Sequence, residues 1–420
     1  MNKIEELVYH AVKKNPALKQ FIRNIYQSAF DCLPKQKNQF KNKLVFREGY
    51  FFGFHDISPF SIDDTKLLAQ RADFDLRMPN PGEKLDVGYF DFKDGVIGSF
   101  HKIGESIAWN WHKGCRLQWY DDDKVIFNTS NGIHPIAVIE TIDGRLYKEL
   151  PHAIDAIFNN DKERIATSFS YTRLERCMPG YGYPYNDDGL IQEYYPKQTG
   201  LFLMNTETGD RELLVSLDEL ANSIPKEMKE KYLHFVTHSE FSPDGRYISF
   251  LYRRIPFEGN YMKRWTQIRV YDRKNKCLYT LPTQDSGSHY VWNNCNQLIA
   301  SCIINGKSCH VLYDMNAIDN YKIIAPHVLN SDGHQSFVGN SKFVTDTYPD
   351  KRRMAHIYEV DIDNNNCKEI VSVYSPKQFQ TKDFKCHIAC DLHPRVSKSG
   401  KYLCFDSPSS GKRGIYVMNL

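Results

Sequence analysis

No stretch of this 420-residue chain stays apolar for the length a membrane-spanning helix needs. The N-terminus, Met1-Asn-Lys-Ile-Glu-Glu6, is acidic where a secretory leader carries its positive charge, and no continuous apolar run follows it. Eleven cysteines form no CxxC pair and no regular framework, which suits a reducing compartment better than a disulfide-stapled secreted protein. These absences together predict a cytoplasmic protein. An excess of one charge is also lacking: 54 Lys and Arg oppose 51 Asp and Glu, so no nucleic-acid partner is expected from the global charge. No glycine-rich segment has the form of a phosphate loop and no serine nucleophile elbow is present, which leaves hydrolysis by a serine mechanism without support.

What is present is a repeat. Four segments place a histidine three residues before a large apolar residue: His238-Ser-Glu-Phe241, His289-Tyr-Val-Trp292, His334-Gln-Ser-Phe337 and His393-Pro-Arg-Val396. The same register fits earlier segments, with Phe54 before Ser58-Pro59, Arg116 before Trp119 and Asp155 before Phe158. Seven units with a period of roughly 40–60 residues, closing on strands such as 247–252 and 402–406, predict an all-β, seven-bladed β-propeller. Equivalent positions would then lie on one ring around the axis, bringing Arg116, Asp155, His238, His289, His334 and His393 together.

Residues 1–43 read differently, as a short N-terminal helical extension to a propeller spanning 44–420. Ile4, Leu7, Val8, Ala11 and Val12 share a helical face, and Asn15-Pro16 supplies a helix start. A second amphipathic stretch carries Leu18, Phe21, Ile22, Ile25, Tyr26 and Phe30, with Lys13, Lys14, Lys19 and Arg23 nearby. Two readings stand: a helical hairpin packed on the propeller or a partner, or a basic helix resting on anionic membrane through residues 1–30. From Leu44 on, short alternating apolar runs separated by turn residues predominate. Residues 44–46 are expected to add an outer strand to the last blade and close the ring. Two interruptions are expected to project from one face: a Gly/Pro/Tyr-rich loop at 171–200 and a short helix at 216–232 containing Pro225.

The pattern Phe-Ser-Pro-Asp-Gly-Arg-Tyr-Ile-Ser-Phe at 241–250 resembles TolB-like propellers. Cys390-Asp-Leu-His-Pro-Arg395, followed by Gly400-Lys-Tyr-Leu-Cys-Phe-Asp-Ser407, resembles the last blade of propeller polysaccharide lyases, the oligogalacturonate and ulvan lyases. Ala108-Trp-Asn-Trp111, Gly114-Cys-Arg-Leu-Gln-Trp119, Gly180-Tyr-Gly-Tyr-Pro184, Ser288-His-Tyr290, Asp332-Gly-His334 and Asp346-Thr-Tyr-Pro349 extend the likeness over most of the chain after residue 50. The resemblance implies a lyase that uses His, Tyr and Arg, with a divalent metal, manganese or zinc, held by histidines and a glutamine near the axis. His289, His334 and His393 are the positions that match metal-binding histidines. This chain departs from the family in having His393-Pro394-Arg395 where the lyases have two histidines around a proline, and Gln335 is the one glutamine placed to substitute for theirs.

β-Elimination on a uronate-containing glycan needs a base for the proton beside the carboxylate, a cation to neutralise that carboxylate, and an acid for the departing oxygen. His238 is the candidate base, with His234 four residues earlier on the same face of an extended segment. Tyr183 or Tyr290 is the candidate acid, and Arg116 or Arg173 the carboxylate clamp. The expected substrate is an acidic oligosaccharide or a cell-surface polysaccharide intermediate. Each histidine taken singly also fits a packing role between blades, so a non-catalytic propeller that binds glycan or protein stands as the rival. The spacing of Cys386, His387, Cys390 and His393 matches no familiar zinc finger.

Overall fold

The structure is a computed structural model that describes residue 30 and residues 33–186, 189–190, 192–257, 264–381 and 386–420. Seven antiparallel sheets follow one another along the chain. Blade 1 is Lys66–Arg71, Leu85–Lys93 and Val96–Ser106; blade 2 is Gln118–Trp119, Lys124–Ser130, Pro135–Thr141 and Leu146–Leu150. Blade 3 is Ile157–Asn159, Arg164–Ser168, Gly200–Asn205 and Arg211–Ser216; blade 4 is Tyr232–Phe241, Tyr247–Pro256, Trp265–Asp272 and Cys277–Thr280. Blade 5 is Tyr290–Trp292, Gln297–Ile304, Lys307–Asp314 and Lys322–Ile324; blade 6 is Gln335–Val338, Lys342–Asp346, Met354–Asp361 and Asn366–Tyr374. Blade 7, Arg395–Val396, Tyr402–Ser407 and Gly414–Asn419, takes its outer strand, Leu44–Glu48, from the start of the described chain, with Leu44 opposite Met418 and Glu48 opposite Gly414. The ring is therefore closed by strands from both ends, as expected. This is an all-β, seven-bladed propeller.

The second strands of the blades depart from the alternation read above. In Lys124–Ser130 the consecutive residues Val125, Ile126 and Phe127 are all buried, because neighbouring blades cover both faces and no side of the strand meets water. Outer strands return to polar exposure, as in Leu146–Leu150. Turn chemistry separates the strands. In blade 4, Ser242 accepts from the Gly245 amide and donates its hydroxyl to Asp244, and Gly245 has φ +71° with Phe158 so close that a Cβ would stand 2.5 Å from its ring.

Adjacent blades are joined by one polar side chain each, from Lys66–Arg71 in blade 1 and from the second strand in blades 2 to 7. Gln70 accepts from the Cys115 amide at 2.9 Å, Asn128 from Ile154 at 2.8 Å, Asp346 from His393 at 2.9 Å, and Asp406 from Phe52 and Gly53 at 3.1 and 3.0 Å. Thr167 meets Ser239 at 2.7 Å, Ser249 accepts from the Trp292 indole at 2.8 Å, and Ser301 accepts from the Gln335 amide at 2.7 Å. Each such bond contributes about 1 kcal/mol, but removing one partner strands a buried group at a cost of about 1–3 kcal/mol. These brackets fix the height at which every blade presents its first residues to the axis.

Three short helices interrupt the strands. α1 (Tyr171–Cys177) occupies the start of the stretch read as a loop; Ser170 caps it by accepting from the Arg173 amide at 3.1 Å, and Tyr171, Leu174 and Cys177 bury one face. The single helix expected at 216–232 is split by Pro225 into α2 (Leu217–Asn222), closed by a Ser216/Glu219 capping box, and α3 (Lys226–Lys229). Gln39–Phe40, assigned above to the N-terminal segment, adds a fifth strand to blade 6. The amphipathic helices expected before Phe30 lie outside the described residues. Among the described residues no helix is long and apolar enough to cross a membrane.

Candidate functional site

The axis is occupied by one phenyl ring with imidazoles around it. Ring centroids of His55, His238, His112, His393, His289 and His334 lie 4.5, 4.8, 5.1, 5.1, 5.8 and 5.9 Å from that of Phe54. His289 and His334 are 4.0 Å apart, and His334 and His393 are 4.3 Å apart. The register read from the repeat thus brings His238, His289, His334 and His393 together from four successive blades. His238 and His393 reach the ring, and Arg116 holds the equivalent register position, with φ of 54°, 45° and 58°, a left-handed backbone that non-glycine residues adopt only when the surrounding structure holds them there.

The hydrogen bonds fix which nitrogen of each imidazole is available. Nδ1 of His55 donates to the Gln335 carbonyl at 2.8 Å and Nδ1 of His393 to the Gly53 carbonyl at 2.7 Å. A carbonyl only accepts, so both rings carry their proton on Nδ1 and a lone pair on Nε2. Nδ1 of His334 meets Asp346 at 2.8 and 3.0 Å. The Nε2 atoms of His55, His112, His334 and His393 are all buried without a hydrogen-bond partner. Buried polar atoms are rarely left so. Ligand atoms of His112, His334, Asp391 and His393 lie within 4.8 Å of one another, a set of imidazoles and one carboxylate of the kind that holds manganese or zinc. The residues present fit a divalent cation.

The local charges agree. Burial alone would lower His334, but the Asp346 carboxylate raises it above the ordinary imidazole value; burial and the neighbouring imidazoles drive His55, His112 and His393 well below theirs, keeping them neutral. Burial pushes Asp391 up to about 6. His289 presents Nδ1 to Asp332 at 3.2 Å; burial and His334 lower it against the pull of that carboxylate. At 8% it is the most exposed of the six, and it lines a small cavity with Phe54, His238 and Glu240.

Several candidates read from the sequence have other engagements. Arg116 is held bidentately by Asp56 at 2.9 and 2.8 Å and bonds the Asp155 carbonyl, so its fork is not open to a substrate. Arg173 donates to the carbonyls of His234, Leu190, Glu193 and Tyr194 and staples the 189–195 backbone instead of clamping a ligand. Tyr183 is fully buried, stacked on Tyr171 at 4.5 Å and bonded to Asn128; Tyr290 donates to the His238 carbonyl. Neither phenol is placed to give up a proton. His234 does not share a site with His238: a bulge between Thr237 and Glu240 breaks the two-residue period, and His234 bonds Tyr252 and the Lys229 carbonyl. Gln335 uses its Nε2 on Ser301 and His310 while its Oε1 is buried without a partner, and Asp391 is the carboxylate that joins the histidine group.

His55, His112 and Asp391 are the members the repeat alone does not reveal. His55 and Asp391 flank register positions by one and two residues, the signal a reading of neighbours would have used; His112 enters from the chain between blades 1 and 2. Tyr181 also joins, its ring 4.3 Å from His112, 4.7 Å from His387 and 6.0 Å from His238.

No protein-family model and no curated protein sequence matches the chain. Among solved structures, an oligogalacturonate lyase in complex with manganese superposes with a TM-score of 0.57 at 13% identity, covering 92% of this chain and 98% of that one. The chain shares its fold with the oligogalacturonate lyases. A second such lyase, from Vibrio parahaemolyticus, gives 0.56 at 12% identity over 90% of this chain and 98% of its own. The tricorn protease gives 0.51 at 12% identity, with 92% of this chain matching 34% of that larger one. Identities this low carry the architecture alone.

Proposed function

We propose that the axial histidine group is the active centre of a metal-assisted lyase that cleaves a uronate-containing oligosaccharide by β-elimination. The observation that carries this is the set of buried, unpartnered Nε2 atoms beside Asp391, with the carboxylate-backed His289 next to it. The manganese in a lyase of the same fold supports it. His112, His334, His393 and Asp391 would hold the cation, which supplies neutralisation of the sugar carboxylate and so acidifies the adjacent C–H.

His289 takes the base role. Asp332 orients its Nδ1–H, leaving the Nε2 lone pair to remove the proton beside the carboxylate. The freed electron pair forms the C=C bond, the glycosidic C–O bond breaks, and the departing oxygen takes a proton. Tyr181 is the donor for that oxygen: burial raises its phenol, so it stays protonated at neutral pH. A cytoplasmic setting, with residues 1–30 docking on membrane or a partner, belongs to the same proposal and is supported by the ten free cysteines among the described residues.

The depth of the ring favours one alternative, a propeller that binds an acidic glycan without turning it over, because the six histidines are no more than 8% exposed. Assay of the manganese-loaded protein for unsaturated products from uronate glycans, with and without chelator, separates the two. Chelator-sensitive product formation supports the lyase; binding without product on every acidic glycan tried would replace it with the alternative.

A further inference from the structure

Arg253 is a strongly buried cation near the ring that meets no carboxylate among the described residues. It lies in the second strand of blade 4, opposite Phe235 and Thr266, and is 3% exposed. Four other arginines of this fold meet a carboxylate: Arg254 meets Asp285 at 3.1 Å, Arg246 meets Asp272 at 2.7 Å, Arg395 meets Asp406 at 3.0 Å and Arg413 meets Asp75 at 3.1 Å. Arg253 has no such carboxylate among the described residues. Its contacts are the Thr266 hydroxyl, 3.2 Å from Nε, and the Met178 sulfur, 3.2 Å from Nη1. Both are neutral, and a thioether is a weak acceptor. The Nη2 donors have no acceptor among the described residues.

Burial, with the charge of Arg264 added to it, lowers Arg253 to about 9 against the pull of Tyr181, Asp332 and Tyr348, so the guanidinium is charged at neutral pH. A carboxylate received in the fork would offset that burial, and the planar guanidinium matches its geometry. Its position is next to the chemistry: its charge acts on both His238 and His289, and Met178 stands three residues before Tyr181, whose ring packs on His112.

We infer that Arg253 is the specificity-determining residue of the axial site, receiving a carboxylate of the uronate chain in its guanidinium fork and so selecting acidic over neutral glycans. This rests on the glycan reading above and adds to it the residue that recognises the acid group.

The test is calorimetric titration of the manganese-loaded protein with D-galacturonate and D-glucuronate, and with D-galactose and D-glucose as uncharged counterparts. The wild type is expected to bind an acid sugar at least tenfold more tightly than its neutral counterpart. Arg253→Gln should abolish that preference while manganese stoichiometry is kept, and Arg253→Lys, which keeps the charge without the fork, should retain part of it. Equal weakening toward acid and neutral sugars would mean a packing role and overturn the inference, as would a wild type without preference. Should Arg253→Gln fail to fold, an Arg253→Lys variant with the full wild-type preference overturns it as well. Selective acid binding through Arg253 with no unsaturated product from any glycan would sink the lyase reading and leave this inference standing; turnover with unchanged selectivity in the Arg253 variants would do the reverse.

Discussion

At the scale of single residues, the site is governed by which imidazole nitrogen is left free. Asp346 is the main organiser: it accepts from the His334 amide and Nδ1 and from the His393 amide, so one carboxylate sets two candidate ligands at once. Asp346→Asn keeps the shape and removes the charge, and should weaken manganese binding by about 10–100-fold, measured by competition with a chelator. For the base, His289→Ala should lower kcat about 100-fold with little change in metal content. A comparable loss in His238→Ala alongside near-normal His289→Ala would return that role to His238. Because the base must be neutral and burial lowers His289, activity should fall as pH drops, with the acid limb below about pH 6.5.

Four of the six axial histidines were legible from their spacing, because a propeller turns a sequence period into a spatial ring. Arg116, Arg173, Tyr183 and Tyr290 are of the right chemical type, but their partners, Asp56, the carbonyls near 190, Tyr171 and the His238 carbonyl, come from tertiary contacts that no local pattern announces.

At the scale of elements, the instructive case is the bulge between Thr237 and Glu240. An unbroken strand would put His234 and His238 on one face; the bulge, with His238 at φ 54°, sends His238 to the axis and leaves His234 against Tyr252. Strand existence was readable from apolar runs bounded by turn residues, whereas a one-residue insertion within a strand carries no compositional mark. The outer strand of blade 7 gives a prediction of its own. Removing residues 1–37 leaves every described strand in place and should preserve a single cooperative transition. Removing residues 1–48 deletes Leu44–Glu48, exposes the edge at Gly414–Asn419, and should lower the melting temperature and promote aggregation. Equal stability of the two truncations would show that closure does not depend on that strand.

For the whole molecule, the ring trades stability against acid. Burial lowers His310 and His387 to about 4, and His55 and His238 well below the ordinary value; only His334 among the axial group is raised. The unfolded chain therefore takes up protons near pH 6.5 before the folded one does, so stability is full above that pH and falls as pH drops toward 4. Urea midpoints across this range should decrease steadily, and saturating manganese should raise them by mass action.

The most direct test of the central claim is metal content. Protein purified without chelator and equilibrated with manganese, then analysed for metal against protein concentration, should carry one ion per chain, lost in the His334→Ala/His393→Ala double variant while its circular dichroism stays that of a folded propeller. A wild type that binds no divalent metal, or a double variant that keeps its full complement, would contradict the account.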